Sequence, residues 1–216
     1  MALRLHYHPL SSFCWKVLMA LYEKQTPFEP VLVDLGDEAS RATFHKLWPI
    51  GQFPVLEDVA RGWMVPESSI IIEYLDQHYP GRTRLMPADP DVARQVRMRD
   101  RYFDLHVHVQ MQKIVGDRIR PAGQRDAFGV AQARAQMRTA LELVESDIGN
   151  HWIMGDMLTM ADCAAAPALN YADKVAPLLP DFPKTTAYLQ RLRERPSFAR
   201  VLKEAEPYAN MFPAES

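Results

Sequence analysis

Gly51-Gln52-Phe53-Pro54-Val55-Leu56, followed by Pro66-Glu67-Ser68-Ser69, decides how this chain is read. The first piece is a strand entered through a proline. The second is the polar start of an apolar helix, Ile70-Ile71-Ile72-Glu73-Tyr74-Leu75. Proline lacks the N–H that a central strand needs, so Pro54 belongs at a strand's first residue, at an edge or in a special turn. Trans is the commoner state of an X-Pro bond. A cis Phe53–Pro54 bond would bend the chain before the strand and turn the N–H and C=O of Phe53 outward, open to an extended ligand.

Outward from this stretch, Leu3-Arg4-Leu5-His6-Tyr7-His8 alternates as a strand with one buried face. Ser11-Ser12 offers helix caps before the stripe Cys14, Val17, Leu18 and Leu21. Thr26-Pro27 closes that helix and Val31-Leu32-Val33 reads as a second strand, so the opening is strand–helix–strand with a right-handed crossover. A short helix lies within Asp37 to Trp48. A turn at Asp58–Gly62, a strand at Trp63–Val65 and a helix from Ser68 to about Tyr79 complete an α/β unit over residues 1–80. Residues 81–90 are rich in breakers and read as a linker. Residues 91–216 read as an all-α domain, with helices over 91–119, 125–148, 159–175, 184–194 and 197–204. Thr159-Met160-Ala161-Asp162 opens one of these as a capping-box relative, the threonine worth about 1 kcal/mol.

Composition narrows the function classes. Apolar residues make up 48% of the 216, enough for a sizeable core, and the net charge is −2. No basic excess points to nucleic acid or an anionic membrane. No run reads as a secretory leader or a bilayer span. Two distant cysteines, Cys14 and Cys163, make no disulfide framework, and a reducing cytoplasm is the simplest compartment. The pairs His6/His8 and His106/His108 lack a third ligand at metal spacing, so no metal is expected.

The paired motif resembles the glutathione-binding half of the cytosolic glutathione transferases, a thioredoxin-like domain followed by an all-helical one. The resemblance implies that Phe53, before a cis Pro54, pairs its backbone with the cysteine of glutathione. It implies that Glu67 and Ser68 hold the γ-glutamyl end and that Gln52 meets the glycyl carboxylate. Ser11-Ser12-Phe13-Cys14-Trp15-Lys16-Val17 is similar to the serine-type motifs of the tau and zeta classes, which puts the catalytic serine at Ser11. Lys16 stands where those classes carry arginine, Phe13 where the zeta class carries cysteine, and Trp48-Pro49 departs from the commoner Asn-Pro.

Such a serine donates a hydrogen bond to sulfur and favours the thiolate, which is the nucleophile. Lowering a thiol pKa by roughly two units takes about 2.7 kcal/mol. Each residue also has a plainer role. Ser11 and Ser12 cap a helix, with Ser12 or Tyr7 as alternative thiol donors. Cys14 sits on the buried stripe, and Tyr7 in a strand core. Arg94, Arg97, Arg99 and Arg101 read as a solvated or salt-bridged face, and the resemblance implies that this face lines the seam of a homodimer. The electrophile pocket is expected from Leu10, Phe13, Tyr102, Phe103, His106 and Gln110, with Tyr208 and Phe212 covering it. The expected activity is addition of glutathione to a small hydrophobic electrophile. The alternatives are glutathione-dependent isomerisation of maleylacetoacetate type and a non-catalytic binding module.

Overall fold

A computed structural model describes residues 2–121 and 123–213. The first residue and the last three of the expected domains lie outside the described residues. The α/β part runs β1 (Leu3–Tyr7), α1 (Ser12–Lys24), β2 (Glu29–Leu32), α2 (Glu38–Leu47), β3 (Val55–Asp58), β4 (Trp63–Pro66) and α3 (Ser68–His78). The strands form one sheet in the order β2-β1-β3-β4. β2 lies parallel to β1, whereas β3 pairs antiparallel with both β1 and β4. This is the thioredoxin-like arrangement expected from the order of elements. Pro30 is tolerated because β2 is an edge strand. Leu5 is centred on the sheet, in register with Pro30 on one side and Leu56 on the other.

α1 is the helix on which the molecule closes. Its expected stripe, Cys14, Val17, Leu18 and Leu21, is buried, but so are Trp15, Lys16, Met19 and Ala20. The reason is packing on several sides: α1 meets α3 within the α/β part, and α7 (Met160–Val175) and α9 (Pro196–Ala205) beyond it. The apolar side chains of the two parts form one continuous core. A smaller cluster of Val33, Phe44 and Val55 seats α2 on the sheet.

The remaining helices are α4 (Pro90–Tyr102), α5 (Val109–Arg118), α6 (Ala127–Asp147) and α8 (Pro183–Glu194). A π-helical segment, Phe103–His108, joins α4 to α5. The breaker-rich segment before α4 contributes more to the core than its composition suggested: Leu85 and Met86 are buried. The Asp76 carboxylate holds them there, accepting their backbone N–H groups at 2.9 and 2.6 Å while it pairs with Lys24. α7 is built on small residues, with Ala161, Ala164, Ala165 and Ala168 all buried, which lets α1 and the π segment approach closely. At its start the Asp162 carboxylate accepts from the Thr159 N–H at 2.7 Å and from the Thr159 hydroxyl at 3.0 Å. It also accepts from the Ile153 N–H at 2.9 Å and the Tyr188 hydroxyl at 2.6 Å. No helix of the described residues is long and apolar enough to cross a membrane.

Candidate functional site

Gln52, Phe53, Pro54, Glu67 and Ser68 line a single groove of about 130 Å³, together with Phe13 and Trp48. The Phe53–Pro54 peptide is cis. Among the described residues none hydrogen-bonds the N–H or C=O of Phe53, so this backbone edge is open. Glu67 caps α3 with φ at +70°, a conformation that L residues seldom adopt. The groove thus meets the front of α3, where backbone N–H groups without helical partners favour an anion. Arg101 and Asp104 close its far side.

Phe53 also lines a second, larger chamber of about 410 Å³, where it is joined by Leu10, Ser11 and Ser12. Ser11 is the N-cap of α1: its Oγ accepts from the Cys14 N–H at 3.3 Å. That bond uses a lone pair and leaves the hydroxyl proton for another acceptor. Ser12 is buried, its Oγ 2.7 Å from Nε2 of His108. Tyr7, the other candidate donor, is half-buried and lines neither cavity. Burial pushes the Cys14 thiol up to about 12, so it is an inert core group.

The residues expected around an electrophile divide among several cavities. Leu10 lines the chamber, but Tyr102, Phe103, His106 and Gln110 do not. Phe103 is in the core, and Tyr102, His106 and Gln110 border a separate cleft against α6. Phe13 faces the groove instead, its ring edge-on to His108 with centroids 4.7 Å apart. Tyr102, His106 and Gln110 do share a face, spaced four residues apart, but that face is turned to Gln136, Thr139, Ala140 and Leu143 of α6. From the last residue of the π segment onward, the row turned to the chamber is His108, Met111, Gln112, Val115 and Gly116. Phe212 lines the chamber from the tail, stacked on Tyr171 at 5.4 Å, while Tyr208 lies edge-on to His8.

Next to the groove, which Asp104 lines, lies a charged cluster that sequence reasoning missed. The Lys16 ammonium is buried, 2.8 Å from Ser69 Oγ, 2.6 Å from Asp100 and 2.9 Å from Asp104. Burial and the neighbouring Asp100 raise the Asp104 carboxyl, against the pull of Lys16 and Arg101. Burial, reinforced by Lys16, pushes the His108 imidazole down to about 3, so it is neutral. Lys16 falls outside the stripe Cys14, Val17, Leu18 and Leu21, so periodicity gave no sign of its burial. The arginines of α4 are paired within the chain: Arg97 grips Glu73 through two bonds of 2.7 Å, Arg101 meets Asp104 at 2.7 Å, and Arg94 and Arg99 pair with Asp91 and Asp147. Among the described residues no group of three His, Cys, Asp or Glu is placed to hold a metal ion.

Comparison with known proteins gives this geometry a context. Residues 5–83 match the family model of the glutathione S-transferase N-terminal domain, and residues 102–196 that of the C-terminal domain. A glutathione S-transferase of Pseudomonas putida is 28% identical, over 94% of this chain and 93% of its own length. A probable maleylacetoacetate isomerase of Caenorhabditis elegans is 27% identical, over 91% of each. Among solved structures, a glutathione S-transferase of Methylobacterium radiotolerans in complex with glutathione sulfonate is 30% identical, with a TM-score of 0.79 over 92% of this chain and 93% of its own.

Proposed function

The chain belongs to the glutathione S-transferase family, and from that premise we propose that it binds glutathione in the groove under Phe53 and delivers the sulfur to the chamber beside Ser11. The observation that carries the reading is the open backbone edge of Phe53, shared between the groove and the chamber. An extended tripeptide pairs its cysteine with that edge. Its γ-glutamyl end lies at the front of α3, the carboxylate on the helix N–H groups and the ammonium on Glu67, with Ser68 alongside. Gln52 takes the glycyl carboxylate. The sulfur then reaches the N-cap of α1, where the positive end of the helix and the free proton of Ser11 favour the thiolate. The chamber holds a small hydrophobic electrophile, to which the thiolate adds.

A second reading, isomerisation of a maleylacetoacetate-like substrate, has support from the nematode relative. Such a substrate carries carboxylates, and the described lining of the chamber contains no lysine or arginine. The transferase reading therefore stands first. We also read the chain as a homodimer whose seam runs along the arginine face of α4, where Met98 is exposed. Glutathione titration and turnover of chlorodinitrobenzene test the proposal together. Saturable binding with conjugate formation is the expected result. Binding without turnover of any electrophile would favour a non-catalytic module, and failure to bind glutathione would remove the reading altogether.

A further inference from the structure

We propose that Ser12 is a second catalytic donor, acting on the electrophile rather than on the sulfur, with His108 as its positioning residue, and that the chamber is suited to neutral conjugated carbonyl compounds. This rests on the transferase reading above and names the substrate class of the same chamber. Three observations carry it. Ser12 and His108 both line the chamber, 2.7 Å apart, from opposite parts of the fold. Nδ1 of His108 is buried without a hydrogen-bond partner. The described lining has no lysine, arginine, aspartate or glutamate, but offers Phe53, Tyr171 and Phe212 to a flat apolar molecule.

The neutral ring carries one proton. On Nδ1 that proton would be a buried donor with no acceptor, whereas on Nε2 it lies in the bond to Ser12. His108 then donates to Ser12 Oγ, and the serine's own proton is free to point into the chamber. The Lys16 ammonium beneath opposes a second proton on the ring.

When a thiolate adds to an enone, sulfur bonds to the β-carbon and the C=C electron pair moves toward the carbonyl, leaving an enolate oxygen. Ser12 donates its hydrogen bond to that oxygen as the charge develops. A proton from water then reaches the α-carbon, replacing the one that the thiol released on ionisation, and the product is the thioether ketone. No such oxygen forms when the thiolate displaces chloride from benzyl chloride, so the two electrophiles separate this role from thiol activation.

The test compares benzylideneacetone with benzyl chloride in wild type, Ser12→Ala, His108→Leu and His108→Gln. Ser12→Ala is expected to lower the enone-to-chloride ratio of kcat/KM on the order of 10²-fold, chiefly through kcat. His108→Leu is expected to lower the same ratio, and His108→Gln, which keeps an N–H donor, to restore part of it. Should His108→Leu fail to fold, Ser12→Ala and His108→Gln decide the matter. Equal losses on both electrophiles, or no loss on the enone, would overturn the proposal. A wild type active on benzyl chloride and inactive on the enone would overturn this proposal alone. A wild type that binds glutathione and turns over neither would overturn the transferase reading and this proposal with it.

Discussion

The ammonium of Lys16, on α1, lies 2.6 Å from the carboxylate of Asp100, on α4, with both side chains buried. Asp104 is a second carboxylate on the same cation, and Arg101 balances it from the groove. The cluster ties α1 to α4 beside the groove. Removing the cation would leave two buried carboxylates facing each other. Lys16→Met is therefore expected to cost about 3–5 kcal/mol, read as a lower midpoint in urea. Lys16→Arg keeps the charge and is expected to cost clearly less. Equal stability of Lys16→Met and wild type would contradict this account of the cluster.

A pH dependence follows from Glu23. Burial pushes its carboxyl up, but two bonds of 2.7 Å from Arg195 and one from Ser197 outweigh burial and hold it below the ordinary 4.5. A carboxyl with a lowered folded-state pKa contributes stability that is fully present above its unfolded value and lost as the pH falls through its folded value. This contact joins α1 to the start of α9. Wild type is expected to lose stability progressively below about pH 4.5. Glu23→Gln, weaker at neutral pH, is expected to show a shallower acid limb in unfolding curves taken across that range. Parallel acid limbs would show that the pair does not titrate as described.

Glu67 sets stability against binding. At φ +70° its backbone is strained, and a glycine adopts that region at little cost. Relief of that strain outweighs the extra freedom glycine gives the unfolded chain, and Glu67→Gly is expected to raise stability by about 1 kcal/mol. The same change removes the carboxylate proposed for the ammonium of glutathione, and affinity is expected to fall about tenfold or more. Thermal unfolding and calorimetric titration of one variant check both halves. A gain in stability with unchanged affinity would assign Glu67 to structure alone.

How far these features were visible in the residues depends on the kind of signal. Pro54 with Glu67-Ser68 specified local backbone geometry, and local geometry is written in short motifs. The alternation of Leu3 and Leu5 and the stripe through Cys14 and Leu21 are likewise periodic, and both point into the core. What could not be read was set by tertiary packing. Lys16 looks like an exposed cation until Ser69, Asp100 and Asp104 close on it. Asp76 looks like a surface carboxylate until it pins Leu85 and Met86. Spacing put Tyr102, His106 and Gln110 on one face, but which neighbour that face meets, α6 or the chamber, is set by how the helices pack. Ser12 and His108, 96 residues apart, meet only through the packing of the two parts of the chain.

The central claim is that the Ser11 hydroxyl donates a hydrogen bond to the sulfur of bound glutathione and holds it as the thiolate. The direct measurement is thiolate absorbance of the glutathione complex against pH, for wild type and Ser11→Ala. The expected result is a pKa that moves in the variant toward the free-thiol value of about 8.5, with affinity changed little, since the backbone of Phe53 and the front of α3 remain. An unchanged thiolate pKa in Ser11→Ala would contradict it and move the donor to another group.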